Sequence, residues 1–432
     1  MSVQGTKRAC VSFSTISYSM KKCGLLGRKL THSYSPMVHE AFGKGYSYEI
    51  FEVEPEDLAD FMQNGDFHGI NVTIPYKKDV IPFCTELSQA ALAIGSVNTI
   101  LRLPGGGFFG DNTDCLGFFA MLKQGGINPT GKKILVLGSG GSSLTVCHVL
   151  RQQNAGEVVV ISTRGEDNYE NLAKHFDAQV IINTTPVGMY PETGETLIPL
   201  QKLSQFSRLE GVLDLVYNPA KTRLIMDAEI LGLPCLGGLV MLVGQAAASA
   251  AVFSDGANVE PSVEKKVQEL LRRKTENLVL VGMPGCGKTT IGRLLAEKLS
   301  RVFVDSDSEI ENFAGRTIPE IFAQEGEEGF RKRETTILQE LGKKSGMVIS
   351  TGGGCVTRDE NYFHLQQNGV VVFLERDVTL LEREGRPLSR GNLQNMYEIR
   401  LPNYRRFANF TAANDDSPDV VAAKILERIW LG

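Results

Sequence analysis

Residues Asn277 to Leu295 read NLVLVGMPGCGKTTIGRLL, and this stretch decides what the second part of the chain is. Leu278 to Val281 is an apolar run of strand length. Gly282 to Thr289 then fits G-x-x-x-x-G-K-[ST], and a helical pattern follows through Leu294, Leu295 and Leu299. A phosphate-cradling loop requires that strand–loop–helix context. Gly282, Gly285 and Gly287 let the backbone curl so that its N–H groups, Cys286 and Thr290 included, point at an anion. The helix start adds partial positive charge. Lys288 would reach the outer phosphates of a nucleoside triphosphate, and Thr289 would ligate magnesium.

The whole chain of 432 residues is long enough for two to four domains. Lys and Arg number 45 against 50 Asp and Glu, a net charge of −5, which argues against a general nucleic-acid or membrane-surface role. No apolar run reaches membrane-spanning length. The eight cysteines form no C-x-x-C pair, so reduced, mostly buried thiols are expected rather than a disulfide framework or a zinc site. Residues 1–22 carry Lys, Arg and many Ser without an acid. That composition faintly resembles a transit peptide, but MKKCGLLG from Met20 reads as a natural beginning. Residues 1–19 are therefore expected to be an extension of a cytoplasmic protein.

Ahead of the phosphate loop, several strands end in polar groups. Ser33-Tyr-Ser35-Pro36 precedes a helical stretch, where hydroxyls and N–H groups suit a carboxylate or simply cap the helix. Gly69 to Lys77 (GINVTIPYK) is an apolar strand ending in Asn71, Thr73 and a lysine. Gly95-Ser-Val-Asn98-Thr99 and Gly110-Asp111-Asn112-Thr-Asp114 add amides and carboxylates. Together these would bind a polyhydroxylated ring, with Lys77 and Asp114 as a proton-transferring pair. Lys132 to Ser143 (KKILVLGSGGSS) is strand, glycine turn and helix start, and Glu157 to Ile161 is the next strand. That βαβ context gives the turn Gly138-Ser139-Gly140-Gly141-Ser142 the look of a dinucleotide site, with Ser143 at the third glycine position. The second strand ends Ser162-Thr163-Arg164, which suits a 2′-phosphate and hence NADP, although Glu166 and Asp167 follow. Further turns follow strands at Asn183 to Met189 and Val216-Tyr217-Asn-Pro219, where open α/β sheets bind ligands. Gln245 sits in a small-residue helix, either as a ligand contact or as a hydrogen-bonded core residue.

The motifs SYSP, NVTIPYK, GSVNT, GDNTD, GSGGSS, NTTPVGM, DLVYNP and GLVMLVGQA occur here in order. Through them, Gly24 to about Arg273 resembles the shikimate dehydrogenase family. The resemblance implies that Ser33 and Ser35 hold the substrate carboxylate, and that Thr73, Asn98, Asp114 and Gln245 hold ring hydroxyls, with Tyr217 also at the substrate. Lys77 with Asp114 would be the catalytic pair, delivering a proton as NADPH delivers hydride. Asn168 stands where members of the family often carry a second basic residue.

In the second half, Arg301 to Asp307 ends a strand in two acids, and such an acid beside a phosphate loop can position magnesium. Arg331 and Glu334 are i, i+3 neighbours, as in an ordinary surface ion pair. Met347 to Thr351 runs into Gly352-Gly353-Gly354, and Arg383, Arg386 and Arg390 lie in a loop shaped like a lid. With GMPGCGKT, DSD, FRKRE, TGGG, GRPL and the Arg400/Tyr404 pair, about Glu276 to Gly432 resembles shikimate kinase. That family implies Asp305 at magnesium and Asp307 orienting the attacking hydroxyl. It implies Arg331, held by Glu334, and Arg400 on the substrate carboxylate, Gly353 along the ring, Arg386 over the phosphates and Arg383 near the adenine.

The expected architecture is α/β with mainly parallel sheets. A two-domain dehydrogenase-like unit would comprise a substrate domain (20–120, completed by 237–273) and a Rossmann-type NADP domain (121–236). A P-loop kinase domain (274–432) would follow. NADP, ATP and Mg²⁺ are the expected cofactors. The partners would be small molecules, neither nucleic acid nor membrane, and the chain a monomer or homodimer. Lys274 to Asn277 reads as a connector so short that the halves must lie close, yet each half carries its own full set of site residues. Two rivals stand beside this reading: a quinate-type dehydrogenase joined to a related kinase, and a metabolite-sensing regulator built from inactive domains. Cys286 is open to two readings, a reactive thiolate at a helix start beside Lys288 or an inert buried thiol.

Overall fold

The computed structural model describes residues 20–30, 33–381 and 393–431. Arg383, Arg386, Arg390 and residues 1–19 lie outside the described residues. Three sheets organise the chain. The first contains β1 (Lys21–Gly27), β2 (Tyr46–Glu52), β3 (Gly69–Val72), β4 (Glu86–Leu87), β5 (Thr99–Arg102) and β6 (Phe108–Asp111), in the order β2-β1-β3-β5-β6-β4. This sheet is mainly parallel, as expected, with the single strand β5 running against both β3 and β6. The reversal into β6 is a short turn, in which Leu103 and Gly107 close a backbone bond of 3.1 Å.

The second sheet is wholly parallel, with β7 (Lys133–Leu137), β8 (Glu157–Ile161), β9 (Val180–Asn183), β10 (Gly211–Asp214) and β11 (Cys235–Leu236) in the order β11-β10-β9-β7-β8. Connections leave β7 toward β8 on one side and β9 on the other, so the crevice for a ligand opens at the carboxyl ends of β7 and β9. The third sheet is also parallel. Its strands are β12 (Asn277–Val281), β13 (Phe303–Asp305), β14 (Val348–Ser350), β15 (Gly369–Glu375) and β16 (Phe410–Ala413), ordered β13-β14-β12-β15-β16. Central β12 is buried on both faces, which is why Leu278 to Val281 is continuously apolar. Each of those side chains contributes roughly 1.5–3 kcal/mol by leaving water.

Helices cover the sheets. The helix Asp114–Gln124 carries its first residue at the edge of the first sheet, yet its Phe118, Met121 and Leu122 are packed in the core of the second. The helix Leu239–Phe253 returns against it: a side chain on Gly117 would strike the Met241 carbonyl at 2.5 Å. The helix Pro261–Thr275 then runs almost straight into β12, and Glu276 alone separates them. The connector is thus one residue, shorter than the four-residue stretch expected, because the helical pattern continues through Lys274 to Thr275. Among the described residues no helix is long and apolar enough to cross a membrane.

Candidate functional site

At the carboxyl ends of the first sheet, Lys77 Nζ donates to Asp114 Oδ2 at 2.6 Å. The lysine follows β3, and the carboxylate is the first residue of its helix, where the helix dipole favours negative charge. Asn98 precedes β5 and is 2% exposed. Its Oδ1 accepts from the Thr113 N–H at 2.7 Å and from the Thr113 and Thr99 hydroxyls. The amide is therefore fixed in orientation, with its donors left for a ligand. Ser33 Oγ lies 3.2 Å from Ser35 Oγ, and also accepts from the Ser35 N–H. Tyr34 between them packs on Tyr217, ring centroids 5.3 Å apart, so the loop after β10 meets the serines. Thr73 follows β3 directly and is partly exposed. Gln245 is half-buried and donates to the Leu242 carbonyl at 2.9 Å, which uses one of its donors inside its own helix.

A buried network stands behind these groups, of which sequence reasoning named Asn71, Asn98 and Thr99 but not Tyr48, His39 or Ser249 as site members. Asn71 donates to the Asn98 carbonyl and Thr99 Oγ1, and accepts from Tyr48 at 2.8 Å and Ser249 at 3.3 Å. The Tyr48 ring stacks on His39 at 3.9 Å, and burial pushes that imidazole down to about 3, so it stays neutral. The signal for Asn71 was present, as a polar residue inside an otherwise apolar strand.

Past β7, Ser139, Gly140 and Gly141 are exposed and open the helix Gly141–Gln152, whose first turn holds no acid. Ser142 is half-buried in that turn. Gly138 begins the turn beside Thr184, whose hydroxyl donates to the Leu137 carbonyl at 2.7 Å. Thr163 and Arg164 are exposed at the end of β8. Asp167 is drawn to His175 at 2.9 Å, away from competition for Arg164. An exposed, acid-free helix start with a free arginine at the neighbouring strand end fits a phosphorylated dinucleotide.

The phosphate loop lies between β12 and the helix Lys288–Leu299. Gly287 has φ 91°, a conformation that favours glycine, and a side chain there would also meet Asn414 Nδ2 at 2.8 Å. Lys288 is 7% exposed and donates to the Gly282 and Met283 carbonyls, both at 3.0 Å. Thr289 Oγ1 donates to Asp305 Oδ2 at 2.9 Å, and Asp305 Oδ1 accepts from the Asp307 N–H. A hydroxyl against a carboxylate beside a phosphate loop fits Mg²⁺. Among the described residues no three His, Cys, Asp or Glu side chains cluster as a metal cage, in keeping with an ion that takes its remaining ligands from phosphate and water.

The loop opens on a cavity of about 630 Å³ lined by Gly285, Thr290, Asp307, Arg331, Gly352 to Gly354 and Arg400. Arg331 and Glu334 are not a surface pair. They are 5% and 0% exposed, and Arg331 Nη1 donates to Glu334 Oε2 at 2.7 Å. Burial pushes Glu334 up to about 7, against the pull of Arg331. Burial, helped by Asp305, pushes Asp307 up to about 6. Among the described residues Asp307 Oδ1, Glu334 Oε1 and Arg331 Nε lack a hydrogen-bond partner. Buried polar atoms in that condition point to a ligand. Arg400 and the Tyr404 hydroxyl both donate to the Gly353 carbonyl, fixing the triple-glycine turn. A side chain on Gly354 would fall 2.1 Å from Arg331 Nη2, so glycine is needed for the arginine to lie there.

Asn414, Asp415 and Pro418 also line this cavity and were not anticipated, though they follow β16 as the other site residues follow their strands. Cys286, by contrast, is fully buried. Its thiol lies 3.9 Å from Lys288 Nζ, its N–H bonds the Met283 carbonyl, and its carbonyl accepts from Asn414 at 2.7 Å. The structure decides between the two readings of this thiol in favour of the buried one.

Comparison with known proteins agrees with this division. Residues 25–100 match the family model for the shikimate dehydrogenase substrate binding domain, and residues 284–430 match the model for shikimate kinase. The shikimate dehydrogenase (NADP(+)) of Clostridium perfringens is 33% identical over 273 residues, spanning 59% of this chain and 99% of that protein. A chorismate mutase/shikimate 5-dehydrogenase fusion from Clostridium acetobutylicum is similar in structure, with TM-score 0.56 and 33% identity over 59% of this chain and 98% of that one. Shikimate 5-dehydrogenase of Thermus thermophilus, solved with NADP(H) and shikimate, gives TM-score 0.51 and 30% identity over 58% and 99%.

Proposed function

The chain belongs to the shikimate dehydrogenase family, extended by a segment matching shikimate kinase, and from that premise we propose two consecutive reactions on one polypeptide. The first half reduces 3-dehydroshikimate with NADPH. The second half phosphorylates the hydroxyl so formed, using ATP and Mg²⁺. The observation that supports this reading is that candidate reacting groups for each step gather at separate sheets, Lys77 with Asp114 beside the first and Thr289, Asp305, Arg331 and Glu334 beside the third.

In the first reaction Ser33 and Ser35 hold the ring carboxylate, and Thr73, Asn98 and Gln245 hold ring hydroxyls. Bound NADPH supplies a hydride to carbon 3. Lys77 delivers the proton to the carbonyl oxygen, and Asp114, 2.6 Å away, holds the ammonium in place. The turn from Gly138 to Ser142 carries the pyrophosphate, Thr163 and Arg164 carry the 2′-phosphate, and Tyr217 lies at the substrate. In the second reaction Arg331 and Arg400 grip the carboxylate, and Gly353 lines the ring. Asp307 orients the 3-hydroxyl and accepts its proton as the oxygen attacks the γ-phosphorus and ADP leaves. Lys288 and the loop N–H groups stabilise the developing charge. Thr289 and Asp305 would hold Mg²⁺, which neutralises phosphate charge. Arg386 and Arg383 are assigned to the phosphates and adenine by resemblance alone.

The domain division that goes with this is 20–120 with 237–273, then 121–236, then 274–432, preceded by an extension over 1–19. The setting is cytoplasmic, the partners are small molecules, and the chain acts as a monomer or homodimer. A one-pot assay tests the whole: 3-dehydroshikimate, NADPH, Mg²⁺ and ATP should yield shikimate 3-phosphate. Accumulation of shikimate without phosphorylation would remove the second half of the proposal.

A further inference from the structure

The loop after β10, residues 215–222, is held at its base from inside its own half. Asp214 is fully buried and accepts from the Val216 N–H at 3.0 Å, Asn183 Nδ2 at 3.0 Å and the Thr222 hydroxyl at 2.6 Å. The outer limb of the same loop is held from the other half of the chain. The Ala220 N–H donates to Asn368 Oδ1 at 2.8 Å, and the Lys221 N–H donates to the Gln367 carbonyl at 2.9 Å. Asn368 is 4% exposed and is itself fixed, since its Nδ2 donates to the Gly342 and Lys343 carbonyls and its own carbonyl accepts from the Asn277 N–H, where β12 begins. One turn earlier, Phe363 faces Gly194 and lies 5.7 Å beneath the Arg223 guanidinium, so apolar contact accompanies the polar clasp.

Two backbone N–H groups of a partly to fully buried dehydrogenase loop thus take their acceptors from the kinase half. The loop carries Tyr217, which packs on Tyr34 between the two serines. A backbone bonded at both limbs keeps that ring in place without an induced adjustment, and ordered geometry near a reacting centre changes rates even when the ordering group touches no substrate.

We propose that Asn368, a residue of the kinase half, is a positioning residue for the dehydrogenase reaction, acting through Ala220 on the Tyr217 loop. The proposal rests on the assignment of Tyr217 to the dehydrogenase site. In consequence the second half is part of the working dehydrogenase, and not a passenger joined by one residue of connector.

The test uses the full chain with Asn368→Ala and Asn368→Asp. Shikimate oxidation with NADP and shikimate phosphorylation with ATP are measured on the same preparations. Losing one neutral hydrogen bond predicts a fall in dehydrogenase kcat/KM of roughly threefold to tenfold in Asn368→Ala, with kinase kcat/KM changed less than twofold. Amide exchange over residues 216–224 should rise in the same variant. Asn368→Asp keeps the oxygen that Ala220 needs and gives up the donors to Gly342 and Lys343. It should keep dehydrogenase within twofold of the parent. If Asn368→Ala does not fold, Asn368→Ser, which also removes the amide oxygen that Ala220 uses, carries the test on the same terms. The idea is overturned if dehydrogenase is unchanged in Asn368→Ala, or if both activities fall by the same factor, which is what a merely structural residue would do. Absence of dehydrogenase activity in the parent chain would instead refute the functional assignment itself.

Discussion

Lys77 and Asp114 keep 21% and 12% of their side-chain surface in water, whereas Arg331 and Glu334 keep 6% and 0%. Both pairs belong to proposed sites at the ends of strands, and both close at 2.6–2.7 Å. They differ in what the surroundings ask of them. In its proposed role the dehydrogenase pair exchanges a proton with a substrate, and its exposure to water fits that role. The kinase pair must present a fixed cation to an anion, so it is sealed behind the helix that carries it and the triple-glycine turn. The lesson is that burial sorts ion pairs by task, and that sorting predicts how each half fails.

The largest effects should separate the halves cleanly. Lys77→Ala should lower dehydrogenase turnover by roughly 10²–10⁴-fold, the usual worth of a positioned acid or base, with kinase turnover within twofold. Lys288→Ala should do the reverse. Parallel assays on one preparation check this, and loss of both activities in a folded single variant would break the comparison.

Next in size is the sealed pair. Glu334→Ala leaves Arg331 buried without its main partner and should cost the kinase half about 3–5 kcal/mol of stability. Denaturant unfolding followed through the single tryptophan, Trp430, reads that loss. Equivalent removal of Asp114, at a wetter site, should cost less stability while still abolishing reduction. Equal stability losses would mean that burial does not distinguish the two pairs.

Much of this contrast was legible in the sequence, and the exceptions share a cause. The phosphate loop, the glycine turn after β7 and the lysine after β3 are local signals, because strand, turn and helix lie within a few residues of each other. Which ion pair is sealed was not local. By spacing alone Arg331 and Glu334 read as an ordinary surface pair; the resemblance put them at the substrate, but only the Gly352–Gly354 turn lying over them shows that they are sealed. Asn414 is 128 positions from the Cys286 carbonyl that it holds, and Asn368 is 148 from Ala220. The polar residues missed as site members or supports, Asn368 and Asn414, act across sheets or halves, where spacing along the chain carries no information. The antiparallel β5 was missed for a related reason, since strand direction depends on pairing that one strand does not reveal.

A smaller effect concerns the open dinucleotide turn. Arg164 is exposed at the end of β8, and an ion pair there to a 2′-phosphate is worth roughly 1–3 kcal/mol. Arg164→Ala should weaken NADPH about fivefold to a hundredfold and leave NADH nearly unchanged, as read by titration of dinucleotide fluorescence. Equal weakening of the two would remove the arginine from the phosphate. On the kinase side, Asp307 is pushed up to about 6 by burial beside Asp305. As pH falls through 6 it takes up a proton and can no longer accept one. Kinase kcat/KM should therefore drop about tenfold per pH unit below that point, and a profile flat to pH 5 would exclude Asp307 as the base.

The smallest expected effect is on thiol reactivity, and it sharpens the comparison from the other direction. Each site has a cysteine next to a working residue: Cys115 follows Asp114, and Cys286 sits two residues before Lys288. A helix start and a neighbouring lysine ordinarily favour thiolate. Cys115 is not in a position to benefit. Burial, together with the Asp114 carboxylate, pushes the Cys115 thiol up to about 12. Cys286 is wholly enclosed, with its thiol beside Gly282 and 3.9 Å from Lys288 Nζ. An alkylating reagent can reach it when the loop opens or the kinase half unfolds, so the rate of labelling should follow opening and not the thiolate fraction. One hour of iodoacetamide at pH 7 should accordingly leave both activities within twofold of the untreated chain. Labelling of Cys286 should be at least tenfold slower than in denaturant, and MgATP should slow it further by holding the loop closed. Peptide mapping reads all three quantities. Rapid labelling of Cys286 with parallel loss of phosphorylation would show that the phosphate loop opens readily in the resting protein. The kinase site would then be the more mobile of the two, and the contrast drawn from burial would have to be reversed.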